Sequence, residues 1–525
     1  MNIFNLLRAT FILLGFVAFW FDGRCEKLII LHTNDTHSAI DPLPDGSGGV
    51  LQRKAIIDSV RNVEKNVVTV DAGDMVQGTL YFKYFKGDVE YLLMNMTGYD
   101  IRVPGNHEFD NGMQQLAEKY SKVEGCPLSA NYDFKGTELE GVFSPYLIKE
   151  YDGKKIGFFG INIDPSSIIA KDNISVNFLE IIPTANEIAK FLKSEKRCDL
   201  VVAVTHIGYE KSNAKTTDVE LAEASEDIDI IIGGHSHTII DPLHPEIFPS
   251  LIPNKNGKPV RVTQTGKQGR FIGKIVVDLD NLGSLDGNNF EYELIPVTDR
   301  FPEETLDQEM KAFLAPYKAK VDSVNNVVIA TSLYDMSLAR TGGMANMTAD
   351  FSKYYADNIA DSLRNINHDF PYVDMSIMNV GGIRHPIRKG DITEGQILST
   401  YPFSNRFVLI EIKGSDLLEA LRVAAKKGGE AVSGNVMVVT DSEGNLLSGL
   451  IDGKAIDPER EYVVGTIDYV AGGNDDLVTM ANHRLLWKGN QEISIPILEW
   501  FKSQTEQGLP IAPDLSPRFV KKDSE

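Results

Sequence analysis

A chain of 525 residues exceeds a typical single domain, so two or three are expected. With 42% hydrophobic and 24% charged residues it has the composition of an ordinary soluble globular protein. A formal net charge of −22 argues against a nucleic-acid polymer as partner, which would need a basic footprint, but leaves room for a small anionic ligand, because a metal ion or a few arginines reverse the sign locally.

The opening stretch "MNIFNLLRATFILLGFVAFWFDGRCEK" sets Arg8 before an apolar core from Phe11 to Phe21, short for a bilayer span and of signal-peptide length. Residues 1–25 are therefore expected to be a signal peptide of an exported protein with no stable transmembrane span, an uncleaved anchor being the alternative. Asp22, Gly23 and Arg24 make a poor lipobox before Cys25. Beyond it only Cys126 and Cys198 remain, too few for a disulfide scaffold and open to either one bridge or two free thiols.

From Lys27 onward, short apolar runs alternate with amphipathic stretches. "KLIILH", "NVVTVDAG", "YDIRVPGN", "KIGFFGIN", "CDLVVAVTH" and "IDIIIGGH" read as strands, and "VLQRKAIIDSVRNV", "MQQLAEKYSKV" and "TANEIAKFLKSEK" as helices between them. This alternation predicts an α/β domain with largely buried sheets over residues 26–300, completed by "KPVRVTQTG" and "FIGKIVVDLD". A helix in "EETLDQEMKAFLAPYKAKVDSV" makes 301–330 a connecting segment. A second, smaller α/β section then fills 331–525, with "MANMTADFSKYYADNIADSL" as a helix and "VDMSIMNVGGIR" as a strand ending in a glycine turn.

The informative feature is where the His, Asp and Asn residues fall. Asp35 and His37, Asp74, Asn106 and His107, His206, and His235 and His237 each follow a predicted strand. Ligand sites of open α/β sheets lie at the carboxyl ends of strands, so five such ends can converge on one place. The i, i+2 spacing of Asp35 with His37 and of His235 with His237 would, in an extended backbone, put both side chains on one side. Taken singly, each of these residues reads more readily as a helix cap or turn. Together, Asp35, His37, Asp74, Asn106, His206, His235 and His237 exceed what one four-coordinate ion needs, and with Asp74 bridging they would serve two divalent ions, zinc or manganese foremost.

"HTNDTH", "DAGD", "GNHEFD", "THIG" and "GGHSHT" occur in the order and spacing of the calcineurin-like metallophosphoesterases, and the chain from Lys27 to about Lys502 resembles the two-domain 5′-nucleotidase family, its bacterial secreted members in particular. The resemblance implies a four-layer α/β/β/α sandwich followed by the smaller α/β substrate-binding domain. It implies that Asp35, His37, His237 and Asp74 hold one ion and Asp74, Asn106, His206 and His235 the other. His107 becomes the catalytic histidine, oriented by Asp110. In the substrate domain it implies Asn379 and Arg384 of "MNVGGIRHPIRKG", Phe403 of "STYPFSNRF" stacking on a base, and Asp475 as substrate contacts, with Arg388 a solvated charge and a core position the alternative for Phe403. The expected activity is hydrolysis of nucleoside 5′-monophosphates by metal-activated hydroxide. The alternatives are cyclic-nucleotide phosphodiesterase, UDP-sugar hydrolase or apyrase activity, or a non-catalytic secreted binding or adhesion protein.

Two departures from the family pattern stand out. In "DYVAGGNDDLVTM" the second aromatic of a base clamp is absent after the glycines or replaced by Leu477. Gly343 stands where relatives commonly carry an arginine, with Arg340 out of register and Arg406 a candidate substitute.

Overall fold

The computed structural model describes residues 26–169, 173–210, 215–282 and 290–522. The expected signal peptide and Cys25 lie outside them. Among the described residues no helix is long and apolar enough to cross a membrane, and Cys126 and Cys198 are both free thiols.

Two six-stranded mixed sheets make up the first part. One runs in the order Phe290–Pro296, Phe271–Asp278, Lys27–Thr33, Val67–Asp71, Ile101–Arg102, Cys126–Pro127; the other runs Leu251–Pro253, Pro259–Thr263, Ile230–Ile232, Leu200–His206, Lys154–Asn162, Tyr146–Tyr151. The central strands of each are parallel; the outer strands are antiparallel except Cys126–Pro127, which runs parallel to Ile101–Arg102. Strand alternation explains the layering. From Lys27–Thr33, Leu28 and Ile30 enter a core shared with Phe158, Val202 and Ile231 of the second sheet. Ile29 and Leu31 point the other way, onto Ile56 and Ile57 of helix Val50–Arg61. On the far side, Ala185, Ala189 and Leu192 of helix Ile181–Ser194 close the second sheet. The result is helix, sheet, sheet, helix.

The second part centres on a five-stranded sheet in the order Ala431–Val432, Met375–Met378, Glu461–Ile467, Arg406–Lys413, His483–Glu492, against which helix Gly343–Arg364 lies. The helix approaches so closely that a Cβ on Gly465 would stand 2.8 Å from Ala356 Cβ. Before it, helix Gln308–Asn325 packs on helices Leu80–Phe85 and Asp88–Thr97. Consequently Val50, Leu80, Val89 and Leu93 of the first part share one apolar core with Met310, Leu314 and the second part.

Candidate metal centre and substrate cleft

Because neighbouring strands are parallel and in register, Thr33 beside Asp71 and Asp71 beside Arg102, their carboxyl ends lie level. Asp35, His37, Asp74, Asn106, His235 and His237 sit in the loops just beyond those ends, and His206 is the last residue of its own strand. The extended backbone expected for the paired positions is not what brings them together. Asp35, His37, Asp74, His235 and His237, five of the seven, adopt positive φ of 50°, 48°, 54°, 76° and 58°. Each left-handed residue costs of order 1 kcal/mol and folds the chain back on itself. The tight loops then bond to one another: Asp35 N donates to Gly73 O (2.8 Å), His37 N to Asp74 O (2.9 Å), His107 N to Asp74 Oδ1 (2.9 Å) and His235 N to Asp35 Oδ2 (2.9 Å).

Buried polar residues brace this framework. Glu108, 5% exposed, accepts from the backbone N–H groups of Asp74 (3.0 Å), Met75 (2.9 Å) and Gly105. Its burial, with the Asp74 charge adding, pushes its carboxyl up to about 8. Asn34 donates to Asp35 Oδ2 (2.6 Å) and accepts from Thr265, while Gln264 donates to Gly234 O (2.7 Å) and accepts from Thr238 N (3.0 Å). Glycine is required where loops meet, since a Cβ on Gly234 would lie 2.7 Å from Ala72 O and 2.8 Å from His206 Nδ1.

Three clusters of ligand atoms result, each within 4.8 Å: Asp35, His37 and His237; Asp74, His206 and His235; and His37, Asp74 and His107. His37 Nε2 lies 2.9 Å from His237 Nε2, and His235 Nδ1 lies 2.9 Å from Asn106 Oδ1. Nδ1 of His206 donates to Ala72 O (2.7 Å), which leaves a buried Nε2 without a hydrogen-bond partner 3.2 Å from Asp74 Oδ2. Burial disfavours charge on this ring, yet Asp74 and then Asp35 carry His206 up to about 10. Burial takes His235 down to about 3 and, with the His237 charge, holds His37 well below the usual imidazole range. Neutral imidazoles converging with carboxylates that draw positive charge suit a borderline divalent cation, so the residues present fit the metal that the fold implies.

His107 and Asp110 stand i, i+3 on the short helical turn His107–Phe109 and its cap, with Nδ1 2.9 Å from Asp110 Oδ2. Burial works against protonation, but Asp110 and then Asp74 outweigh it and raise the His107 pKa.

A cleft of about 640 Å³ opens above the centre, lined by Asp74, Asn106, His107 and His235 from the first part and by Asn379, Arg384, Phe403 and Asp475 from the second. Phe403 is not a core residue: its ring stacks on His107 at 5.8 Å, with the Arg384 guanidinium 5.8 Å from its centroid. Asn379 Nδ2 donates to Asp475 Oδ2 (2.6 Å), leaving Asn379 Oδ1 buried and unpartnered. Of the candidate substitutes for the missing arginine, Arg340 pairs with Glu430 and Arg406 is exposed at a strand start; neither lines the cleft. Arg388 is 76% exposed, as a solvated charge should be. The second aromatic corrects the expectation from sequence. Leu477 is fully buried in the core, while Tyr469, ahead of the glycines, lines the cleft. The signal in the sequence is the aromatic on the short helix Asp468–Ala471 just after strand Glu461–Ile467, which precedes rather than follows "GGND".

Residues 28–238 match the calcineurin-like phosphoesterase model, and residues 328–483 the model of the 5′-nucleotidase C-terminal domain. The Bacillus subtilis trifunctional nucleotide phosphoesterase protein YfkN is 28% identical over 510 residues, 88% of this chain, which spans only 33% of that relative's length. The 5′-nucleotidase of Bos taurus is 28% identical over 81% of this chain and 77% of its own. A Thermus thermophilus 5′-nucleotidase precursor of known structure superimposes with a TM-score of 0.80 at 26% identity, covering 94% of this chain and 99% of that one.

Proposed function

The chain belongs to the family that joins a calcineurin-like phosphoesterase domain to a 5′-nucleotidase C-terminal domain, a family of metal-dependent phosphoester hydrolases, and from that footing we propose that it is an exported enzyme hydrolysing nucleoside 5′-monophosphates to nucleoside and phosphate. The observation that carries this reading is one cleft lined both by candidate metal ligands and by Arg384, Phe403 and Asn379.

Asp35, His37, His237 and Asp74 would hold one divalent ion, and Asp74, Asn106, His206 and His235 a second. Such ions, when bound, supply an acidified water and neutralise phosphate charge. The chain's own groups do the rest. Asp110 fixes the His107 ring through Nδ1 and favours its protonated form, so that Nε2 can donate to the phosphate or to the departing 5′-oxygen. The Arg384 guanidinium offers a fork of donors to phosphate oxygens, and the free Asn379 Oδ1 and the Asp475 carboxylate offer acceptors to sugar hydroxyls. Phe403 and Tyr469 supply flat apolar faces for a base.

Phosphate release from AMP, ADP, ATP, a 2′,3′-cyclic nucleotide and UDP-glucose, before and after metal stripping and reloading, tests the reading. AMP should have the highest kcat/KM. A preference for the cyclic ester or the UDP-sugar would overturn the monophosphate assignment, and no metal-dependent release from any of them would leave a binding protein instead. Export is tested by sequencing the mature amino terminus, which should begin after residue 25.

A further inference from the structure

One carboxylate at the edge of the cleft ties three segments of the chain together. Lys83 stands on helix Leu80–Phe85, which begins at the Thr79 cap a few residues after Asp74. Its side chain is only 7% exposed, and Nζ donates to Glu492 Oε2 (2.8 Å) and Ser494 Oγ (2.9 Å) across the boundary between the two parts. The other oxygen, Glu492 Oε1, accepts from Ser404 Oγ (2.8 Å) and lies 3.8 Å from Lys86 Nζ, which itself reaches Ser404 Oγ at 3.4 Å. Ser404 directly follows Phe403, and the next residue, Asn405, accepts at its carbonyl from Ile493 N (2.8 Å). The loop that carries Phe403 over His107 is thus held from both sides of Glu492.

Packing alone does not call for these charges. Leu80 and Tyr81 of the same helix already lie in the shared core, and a lysine so nearly buried is costly unless its partner is in place. We propose that Glu492 is a positioning residue, a clasp linking Lys83 to Ser404 that sets the Phe403 ring at the cleft and thereby governs affinity for the base-bearing half of the substrate. This rests on the nucleotidase reading.

The test uses Glu492→Gln, Lys83→Met, Lys83→Glu and the charge exchange Lys83→Glu/Glu492→Lys in the metal-loaded protein, each first matched to the wild type in metal content and thermal unfolding. Loss of a hydrogen-bonded ion pair whose lysine is nearly buried should raise the KM for AMP and the Kd for adenosine by about tenfold. The kcat should fall less than about threefold, and the affinity for inorganic phosphate, which needs no aromatic face, should change less than about twofold. Lys83→Glu alone should be the worst variant, with the charge exchange recovering most of its loss. Equal weakening of phosphate and adenosine, an unchanged KM in both single neutralisations, or no recovery on exchange would overturn the clasp. Should the wild type hydrolyse no nucleotide, the functional reading fails by itself, while the adenosine and phosphate affinities still judge the clasp.

Discussion

Replacing Gly105 by alanine should disable the enzyme while leaving its fold in place. Gly105 lies outside the left-handed region, so alanine is allowed by the backbone and only the space in front of it is at issue. There a Cβ would meet Asp74 Oδ1 and stand 2.6 Å from Asp74 N and 2.8 Å from Asp74 Cγ. Ordinary contact begins at 3.4 Å, so the Asp74 backbone or the Gly105 loop must retreat by roughly 0.8 Å, and the Asp74 carboxylate, which the Cβ would meet first, by more. Overpacking of this kind costs about 1–3 kcal/mol of stability. A displacement approaching 1 Å at the residue proposed to join both ions should lower kcat/KM by about 100-fold. Metal analysis of the dialysed variant and steady-state kinetics with AMP measure the two effects. A variant with full metal content and wild-type turnover would show that Asp74 is not held where this reasoning needs it.

Four further outcomes are expected. His107→Asn should keep its metal and lose about 10²–10⁴ in kcat. In Asp110→Asn, removal of the charge that raises His107 should move the alkaline limb of the rate profile to lower pH; an unmoved limb would exclude His107 as the titrating acid. Tyr469→Leu should weaken adenosine binding by about 1–3 kcal/mol with little change for inorganic phosphate, read by calorimetry. Burial pushes Glu90, hydrogen-bonded by Ser38, from 4.5 up to about 7. The folded state therefore holds this proton more tightly than the unfolded chain, and stability complete below about pH 4.5 is lost as pH rises through about 7. Relative to Glu90→Gln, the wild type should lose up to ~3 kcal/mol between pH 4.5 and 8, measured by urea unfolding, and a constant difference would refute the assignment.

Some of this architecture is legible from residue pattern alone. Runs such as "VVTVD" and "LVVAVTH" are buried on both faces and could hardly be anything but central strands, and their polar ends mark the site. The mechanism of convergence is not legible, because alternation along a strand says nothing of the left-handed turns at Asp35, His37, Asp74, His235 and His237. From its place in "GNHEFD" Glu108 reads as either structural or solvated, and its three backbone donors, two of them more than thirty residues away, are not legible there. Tyr469 escaped because a side chain is assigned to a cleft by what faces it, not by its distance from a glycine pair. Lys83 and Glu492 are separated by 409 positions, and neither looks unusual in its own neighbourhood.

The core common to Val50, Leu80, Val89, Leu93, Met310 and Leu314 also fixes how the molecule comes apart. Neither half owns that apolar surface, so excising one would leave the other with an oily face turned to water. On heating, the chain should absorb its unfolding enthalpy in one calorimetric peak rather than two, and a fragment starting at residue 331 should aggregate rather than refold. The chain would then have two domains in its architecture and one in its thermodynamics.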